Sequence, residues 1–269
     1  MNVRFPSVVL FYFMIWWHGG VLSDSGERVI DESDTEITSV PYMLSLMMDN
    51  VHVCGAASIS NNLAITAAHC VRGTTSQLIN ITICSGSSNL ENCVIHDAID
   101  VSIHEKYNTN DEDYDIATIK VTPPFSYNNF TKPVDLAPDN AENVFKEWGK
   151  VCGWRYYSEV DGFIEPVLSK DLKCTNVFHV KKDLCYENSI YRYMLTPRMT
   201  CYRFQQGVKD VCKGDSGGPL VNKDNILLGI TSWGNSCADN NSPGVYTDAV
   251  LLRNWIKNKI NEEKKVPTT

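Results

Sequence analysis

Residues 226–260 read ILLGITSWGNSCADNNSPGVYTDAVLLRNWIKNKI. The apolar runs 226–230 and 244–247 have strand length, and the stretch 238–243 between them (ADNNSP) is turn chemistry. After residue 247 the period changes: Asp248 can cap a segment that carries Leu251, Trp255, Ile256 and Ile260 on one face. Working outward, the same short runs recur at 42–47, 63–66 and 116–121, separated by loop material at 86–89, 108–113 and 123–129. The pattern predicts an all-β chain with a C-terminal α-helix, no internal repeat and a charged, frayed tail over 262–269. The acidic run 111–113 reads as a solvated loop.

The chain has 269 residues, 43% hydrophobic and 21% charged, which suits a folded protein with a sizeable core and argues against long disorder or coiled coil. Its net charge of −8 opposes a nucleic-acid partner or an anionic membrane surface. Ten cysteines lie between Cys54 and Cys237 with no CxxC pair, a usage that fits disulfides in a secreted protein. At the start, Arg4 precedes an unbroken apolar stretch over 8–17, followed by Gly19, Gly20 and Ser23. This predicts a signal peptide over 1–23; ten apolar residues fall well short of the roughly twenty that span a bilayer.

The residues richest in chemistry are Gly214, Asp215, Ser216, Gly217, Gly218 and Pro219. A serine hydroxyl is a poor nucleophile unless a base takes its proton, and the oxyanion formed on attack needs backbone N–H donors aimed at it. Glycines on both sides let the chain turn so that the N–H groups of Gly214 and Ser216 point into one small space. The base and its carboxylate must come from elsewhere. His69 sits in Thr66-Ala67-Ala68-His69-Cys70, and Asp115 opens the apolar run Asp115-Ile116-Ala117-Thr118.

Together these motifs resemble the trypsin and chymotrypsin family of serine endopeptidases, and the order His69, Asp115, Ser216 is that family's order. The resemblance runs from Val29 to about Ile260, through VPYMLSL at 40–46, residues 54–70 and 107–120, Gly153-Trp154, residues 212–219, and SWGNSCADNNSPGVYT at 232–247. It implies two packed six-stranded antiparallel β-barrels with a cleft between them. It also implies His69 as general base and acid, Asp115 as its orienting carboxylate, Ser216 as nucleophile, and the Gly214 and Ser216 N–H groups as oxyanion hole. Ser232 would stand beside Asp115.

The same resemblance puts Asp210 at the base of the primary substrate pocket, with Val211 next to it and Gly234 and Gly244 in its walls. A carboxylate there gains by receiving a cation, so the implied substrates are proteins or peptides with Arg or Lys before the scissile bond. Val211 stands where many trypsin-like members carry a hydroxyl that helps a lysine ammonium, so Arg is expected over Lys. Cleavage after Arg28 would free the Val29 amine to pair with Asp215, making 24–28 a short activation segment and 29–269 the protease domain. Asp31 and Glu32 replace the glycines usual after the new terminus, where they oppose the required turn. They also suggest the other function class, a catalytically silent homologue acting as an extracellular binding or regulatory protein.

Family correspondence pairs Cys54 with Cys70, Cys185 with Cys201, and Cys212 with Cys237. Of the rest, Cys84 and Cys93 share a short loop, and Cys152 and Cys174 fall on segments expected to be neighbouring strands. Asn80, Asn129 and Asn240 begin Asn-x-Ser/Thr sequons. No metal or cofactor is expected: the loop 84–93, where some relatives bind calcium, holds a single acid, Glu91. A secreted monomer meeting substrates and protein inhibitors is the expected form.

Overall fold

The computed structural model describes residues 35–73, 80–139, 144, 146–160, 163–187, 191–204, 216–234 and 243–265, with side chains left out at 155–160 and 163–167. The expected leader and activation segment over 1–28 lie outside that set.

Six short apolar runs form the first barrel: β1 (Met43–Met48), β2 (Val51–Ser60), β3 (Leu63–Thr66), β4 (Ile81–Ser85), β5 (Val94–Ile103) and β6 (Ala117–Thr122). Its order is β1-β2-β3-β6-β5-β4, closed by antiparallel pairing of β1 with β4 from Ser45↔Cys84 to Met48↔Ile81. The β1–β2 turn needs two left-handed residues, and Asp49 and Asn50 supply them at φ 51° and 63°. Register shifts between Leu46 and Met47, Ser58 and Ser60, and Ala98 and Asp100 add the local twist that lets the sheet curl shut.

After β7 (Asp135–Leu136), the second barrel follows: β8 (Trp148–Val160), β9 (Phe163–Val180), β10 (Met199–Phe204), β11 (Pro219–Val221), β12 (Ile226–Trp233) and β13 (Gly244–Asp248). The ring β11-β8-β9-β10-β13-β12 closes through β11–β12, and β7 adds a parallel strand beside β12. The β8–β9 ladder is unusually long, running from Trp148↔Phe178 out to Val160↔Phe163. The expected two six-stranded barrels and terminal helix are present.

The core runs across the barrels. Leu44, Leu46, Ile65, Ile83 and Ile119 fill the first, and Trp154, Leu172 and Ile230 from the second half of the chain pack into the same cluster. Val151, Val177, Leu220 and Leu228 form the core of the second. Disulfides join Cys54 to Cys70, Cys84 to Cys93, Cys152 to Cys174 and Cys185 to Cys201. Cys212 and Cys237 lie outside the described residues. The Cys84–Cys93 loop also straps the barrels together: the Ser88 carbonyl accepts from Trp154 Nε1 at 2.7 Å and from Leu172 N at 2.9 Å. Among the described residues no helix is long and apolar enough to cross a membrane. The sequon residues Asn80 and Asn129 are exposed.

The terminal α-helix (Arg253–Lys265) begins later than its cap suggested. Asp248 Oδ1 accepts from Leu251 N at 3.0 Å and its carbonyl from Leu252 N at 3.1 Å, so it caps a turn that leads into the helix. Leu251 therefore belongs to the turn and is 59% exposed, contrary to its expected inward place, while Ile256 is fully buried. Farther along, Glu263 bonds Asn62 and pairs with Lys120 of β6, holding the last turn of the helix against the first barrel, so residues 262–265 are helical where a frayed tail was expected. Ile256→Ala should destabilise the protein by about 2–5 kcal/mol in chemical denaturation, and Leu251→Ala by under about 0.5 kcal/mol; equal effects would contradict this packing.

Candidate active site

His69 lies in α1 (Ala68–Val71), the single turn that follows β3. Its neighbours Ala67 and Ala68 are fully buried, and Cys70 is tied back to Cys54 on β2. Small residues let this turn sink against the barrel, and the disulfide fixes it there. Asp115 lies between β5 and β6 and is fully buried. A carboxylate without solvent needs its lone pairs filled. Asp115 Oδ1 accepts from His69 N at 2.8 Å; Oδ2 lies 2.7 Å from His69 Nδ1 and accepts from Ser232 Oγ at 2.5 Å. Its carbonyl accepts from Thr247 Oγ1 at 2.8 Å. An acceptor-only carboxylate places the ring proton on Nδ1, leaving the Nε2 lone pair to receive another.

Ser216 comes from the turn before β11, and its carbonyl accepts from Gly55 N of β2 at 2.9 Å. Gly217 follows at φ 82°, donates to the Thr231 carbonyl at 2.7 Å, and has no room for a side chain. A Cβ there would overlap the Thr66 hydroxyl and sit 2.6 Å from the Gly55 carbonyl oxygen. A Cβ on Gly55 would in turn lie 2.8 Å from Gly218 Cα. The serine turn is thus pressed backbone to backbone on the first barrel, and Cys70 Sγ stands 3.6 Å from both His69 Nε2 and the Ser216 carbonyl oxygen. Ser216 of the second barrel thus stands beside the turn of the first that carries His69, with Cys70 Sγ next to both. Gly55 was not singled out in the sequence, although glycine inside an apolar strand run is a signal of close backbone approach.

The outer side of the histidine carries a polar network. Tyr107 donates to Glu112 Oε2 at 2.5 Å, and Arg72 Nη1 donates to Glu112 Oε1 at 3.0 Å. Burial, the Glu112 hydrogen bond and the nearby Asp115 charge push the Tyr107 phenol well above its usual range, so it remains a donor. His69, Glu112 and Asp115 bring potential ligand atoms within 4.8 Å of one another, but each is already engaged by the hydrogen bonds just given. Gly234 and Gly244 face each other across β12 and β13, where a Cβ on Gly234 would lie 3.6 Å from Gly244 Cα. Asp210, Val211, Gly214, Asp215, Arg28, Val29, Asp31, Glu32 and Asn240 lie outside the described residues.

One expectation is corrected. The run 111–113 does not form a wholly solvated loop, because Asp113 is only 7% exposed. It accepts from Thr196 Oγ1 at 2.6 Å and from Arg198 Nε at 3.1 Å, and it pairs with Arg198 Nη2. The partners come from a distant segment of the chain, so local composition gave no sign of them. Burial by itself raises the Asp113 pKa, but the hydrogen bonds from Arg198 and Thr196 and the Arg198 charge outweigh it and hold the carboxyl below its ordinary value. A depressed folded-state pKa adds stability that is complete above the unfolded-state value and is lost as pH falls through the folded-state one. Asp113→Asn should therefore lower Tm at neutral pH, with the gap to the parent protein shrinking below about pH 4 in acid melting curves; a gap independent of pH would contradict the pair.

Comparison with known proteins agrees with this geometry. The family model described as Trypsin matches residues 29–256. The chain is 33% identical to the vitellin-degrading protease of Bombyx mori over 233 residues, covering 87% of this chain and 86% of that protein. It is 34% identical to trypsin delta of Drosophila melanogaster over 238 residues, covering 88% and 90%. Among solved structures, neuropsin, a serine protease expressed in the limbic system of mouse brain, superposes with a TM-score of 0.71 at 27% identity, covering 84% of this chain and 97% of that one. Two closed barrels, a buried carboxylate on a histidine at their seam, and these relatives together make the chain a member of the trypsin family and a trypsin-like serine endopeptidase.

Proposed function

We propose that this endopeptidase is secreted and cuts after Arg, and less well after Lys, with Ser216, His69 and Asp115 as its catalytic residues. The observation that carries this reading is the fully buried Asp115 carboxylate, whose oxygens take both the backbone and the ring N–H of His69. Ser216 Oγ attacks the scissile carbonyl while His69 Nε2 takes its proton, and the N–H groups of Gly214 and Ser216 bind the oxyanion. The imidazolium, balanced by Asp115, returns the proton to the leaving amine as the C–N bond breaks. Water then repeats the sequence on the acyl-enzyme and releases the acid.

Asp210 at the pocket base supplies the charge for a basic side chain, and Val211 tilts the choice to arginine, whose fork satisfies the carboxylate on two N–H groups. Gly234 and Gly244, assigned to the walls of that pocket, carry no side chain to obstruct a long one. The protein is made as a zymogen cut after Arg28, and Val29 then pairs with Asp215. A signal peptide over 1–23, disulfides and glycans on Asn80, Asn129 and Asn240 belong to the same secreted form.

The test is active-site titration with a fluorophosphonate after treatment with immobilised trypsin. Stoichiometric labelling that needs both cleavage and Ser216 is expected, and Ser216→Ala should lose on the order of 10⁶ in turnover. Matched arginyl substrates should be cut faster than lysyl ones; equal rates would remove the role given to Val211. No labelling with a confirmed Val29 terminus would favour a silent binding or regulatory homologue, with Asp31 and Glu32 as the first residues to exchange.

A further inference from the structure

The segment that delivers Asp115 does not hold its shape through local bonding alone. Residues 108–115 form a tight loop closed by Asn108 N to the Asp113 carbonyl at 3.0 Å. Within it Glu112 and Tyr114 sit at φ 54° and 55°. Left-handed backbone at a tyrosine is costly and persists only where neighbours enforce it. The enforcing contacts come largely from the other barrel. Asp113 Oδ1 accepts from Tyr114 N at 3.0 Å, which fixes the turn, and the same carboxylate is gripped by Thr196 and Arg198. The Arg198 guanidinium also lies 4.9 Å from the Tyr114 ring centre, and His104 stacks on that ring at 4.6 Å. Arg198 is itself anchored, since its carbonyl accepts from Asp248 N at 2.8 Å at the end of β13.

Asp113 thus ties the loop to the second barrel two residues before Asp115. The next residues make the contacts that matter: Asp115 must keep Oδ1 on His69 N and Oδ2 on His69 Nδ1 while remaining bound to Ser232 and Thr247. Release of Asp113 would let Tyr114 leave its strained conformation and rotate the following peptide. We propose that Asp113, clamped by Arg198 and Thr196, is a positioning residue that sets the angle of the Asp115 carboxylate on His69 and so couples docking of the two barrels to the strength of the catalytic base. The proposal rests on the assignment of His69 as that base.

The titratable and charged groups around the clamp are Asp111, Lys106, His104, Glu105 and Lys259, and those around the histidine are Glu112, Tyr107 and Arg72. All remain in place in the variants that test it. Asp113→Ala, Arg198→Ala and Arg198→Lys are compared with the parent protein after treatment with immobilised trypsin, each normalised by fluorophosphonate titration. The two alanine variants should lose about 10²-fold in kcat with KM for a small ester within about threefold, and the acid limb of kcat/KM should move to lower pH. Arg198→Lys, which keeps the charge and loses the fork, should recover part of the loss. A second readout needs no turnover: in the Ser216→Ala background, the low-field proton resonance of the His69 Nδ1–H and the histidine titration followed by NMR should both shift in Asp113→Ala and Arg198→Ala.

A fall in Tm with kcat, acid limb and low-field resonance unchanged would make the cluster a fastener between barrels and overturn the proposal. If the alanine variants do not fold, Arg198→Lys decides in the same way on the same three readouts. An unlabelled parent protein with no low-field histidine resonance would overturn the assignment of His69 itself, and the proposal with it.

Discussion

Everything at the seam is arranged around one buried negative charge. A carboxylate removed from water is tolerable only when hydrogen bonds replace its hydration, and Asp115 draws those donors from both barrels: the His69 backbone and ring on one side, Ser232 on the other, with Thr247 on its carbonyl. Separating the barrels would expose or orphan that charge. The interaction that orients the histidine is therefore also one that rewards correct barrel docking, and the electrostatic and architectural roles are the same set of bonds.

The second constraint is proximity of backbone to backbone. The serine turn approaches β2 so closely that Gly55, Gly217 and Gly218 have no space for a methyl group between them. Side chains adapt by rotating; main chains in contact cannot. A hydrogen bond from Gly55 to the Ser216 carbonyl completes a fixed reference surface, and the Cys54–Cys70 disulfide attaches the histidine turn to the same strand. Ser216 and His69 are in this way referred to one short piece of β2, a more exact alignment than two independent loops would give.

How far the sequence carried the reading follows from the range of the forces involved. Strand runs, loops and the catalytic motifs are local in the chain, so residues such as Ile65, His69, Asp115 and Ser216 could be placed by pattern and by family resemblance. The disulfide between Cys152 and Cys174 was legible because it needed only neighbouring strands, and the two residues are directly paired in the β8–β9 ladder. Asp113 was misread because its partners, Thr196 and Arg198, are more than eighty residues away; an acid among Asn, Thr and Asp looks solvated until the fold brings a guanidinium to it. Leu251 departs for a different reason: Asp248 does cap, but the turn it caps precedes the helix, so Leu251 lies before the buried helical face rather than on it.

The long β8–β9 ladder bears on the survival of the molecule. A chain that cuts polypeptides is surrounded by copies of itself, and a peptide bond is cut only if its backbone can be drawn out as a free extended segment to lie in another molecule's cleft. Arg155, a target under the specificity proposed above, is paired with Leu168 inside a ladder that continues outward to Val160 and Phe163. The ladder holds this stretch extended against a partner strand, with alternate amides and carbonyls engaged across it. Unzipping several residues of ribbon must precede any cut there, so under the proposed specificity the paired hairpin shields this basic residue from self-digestion.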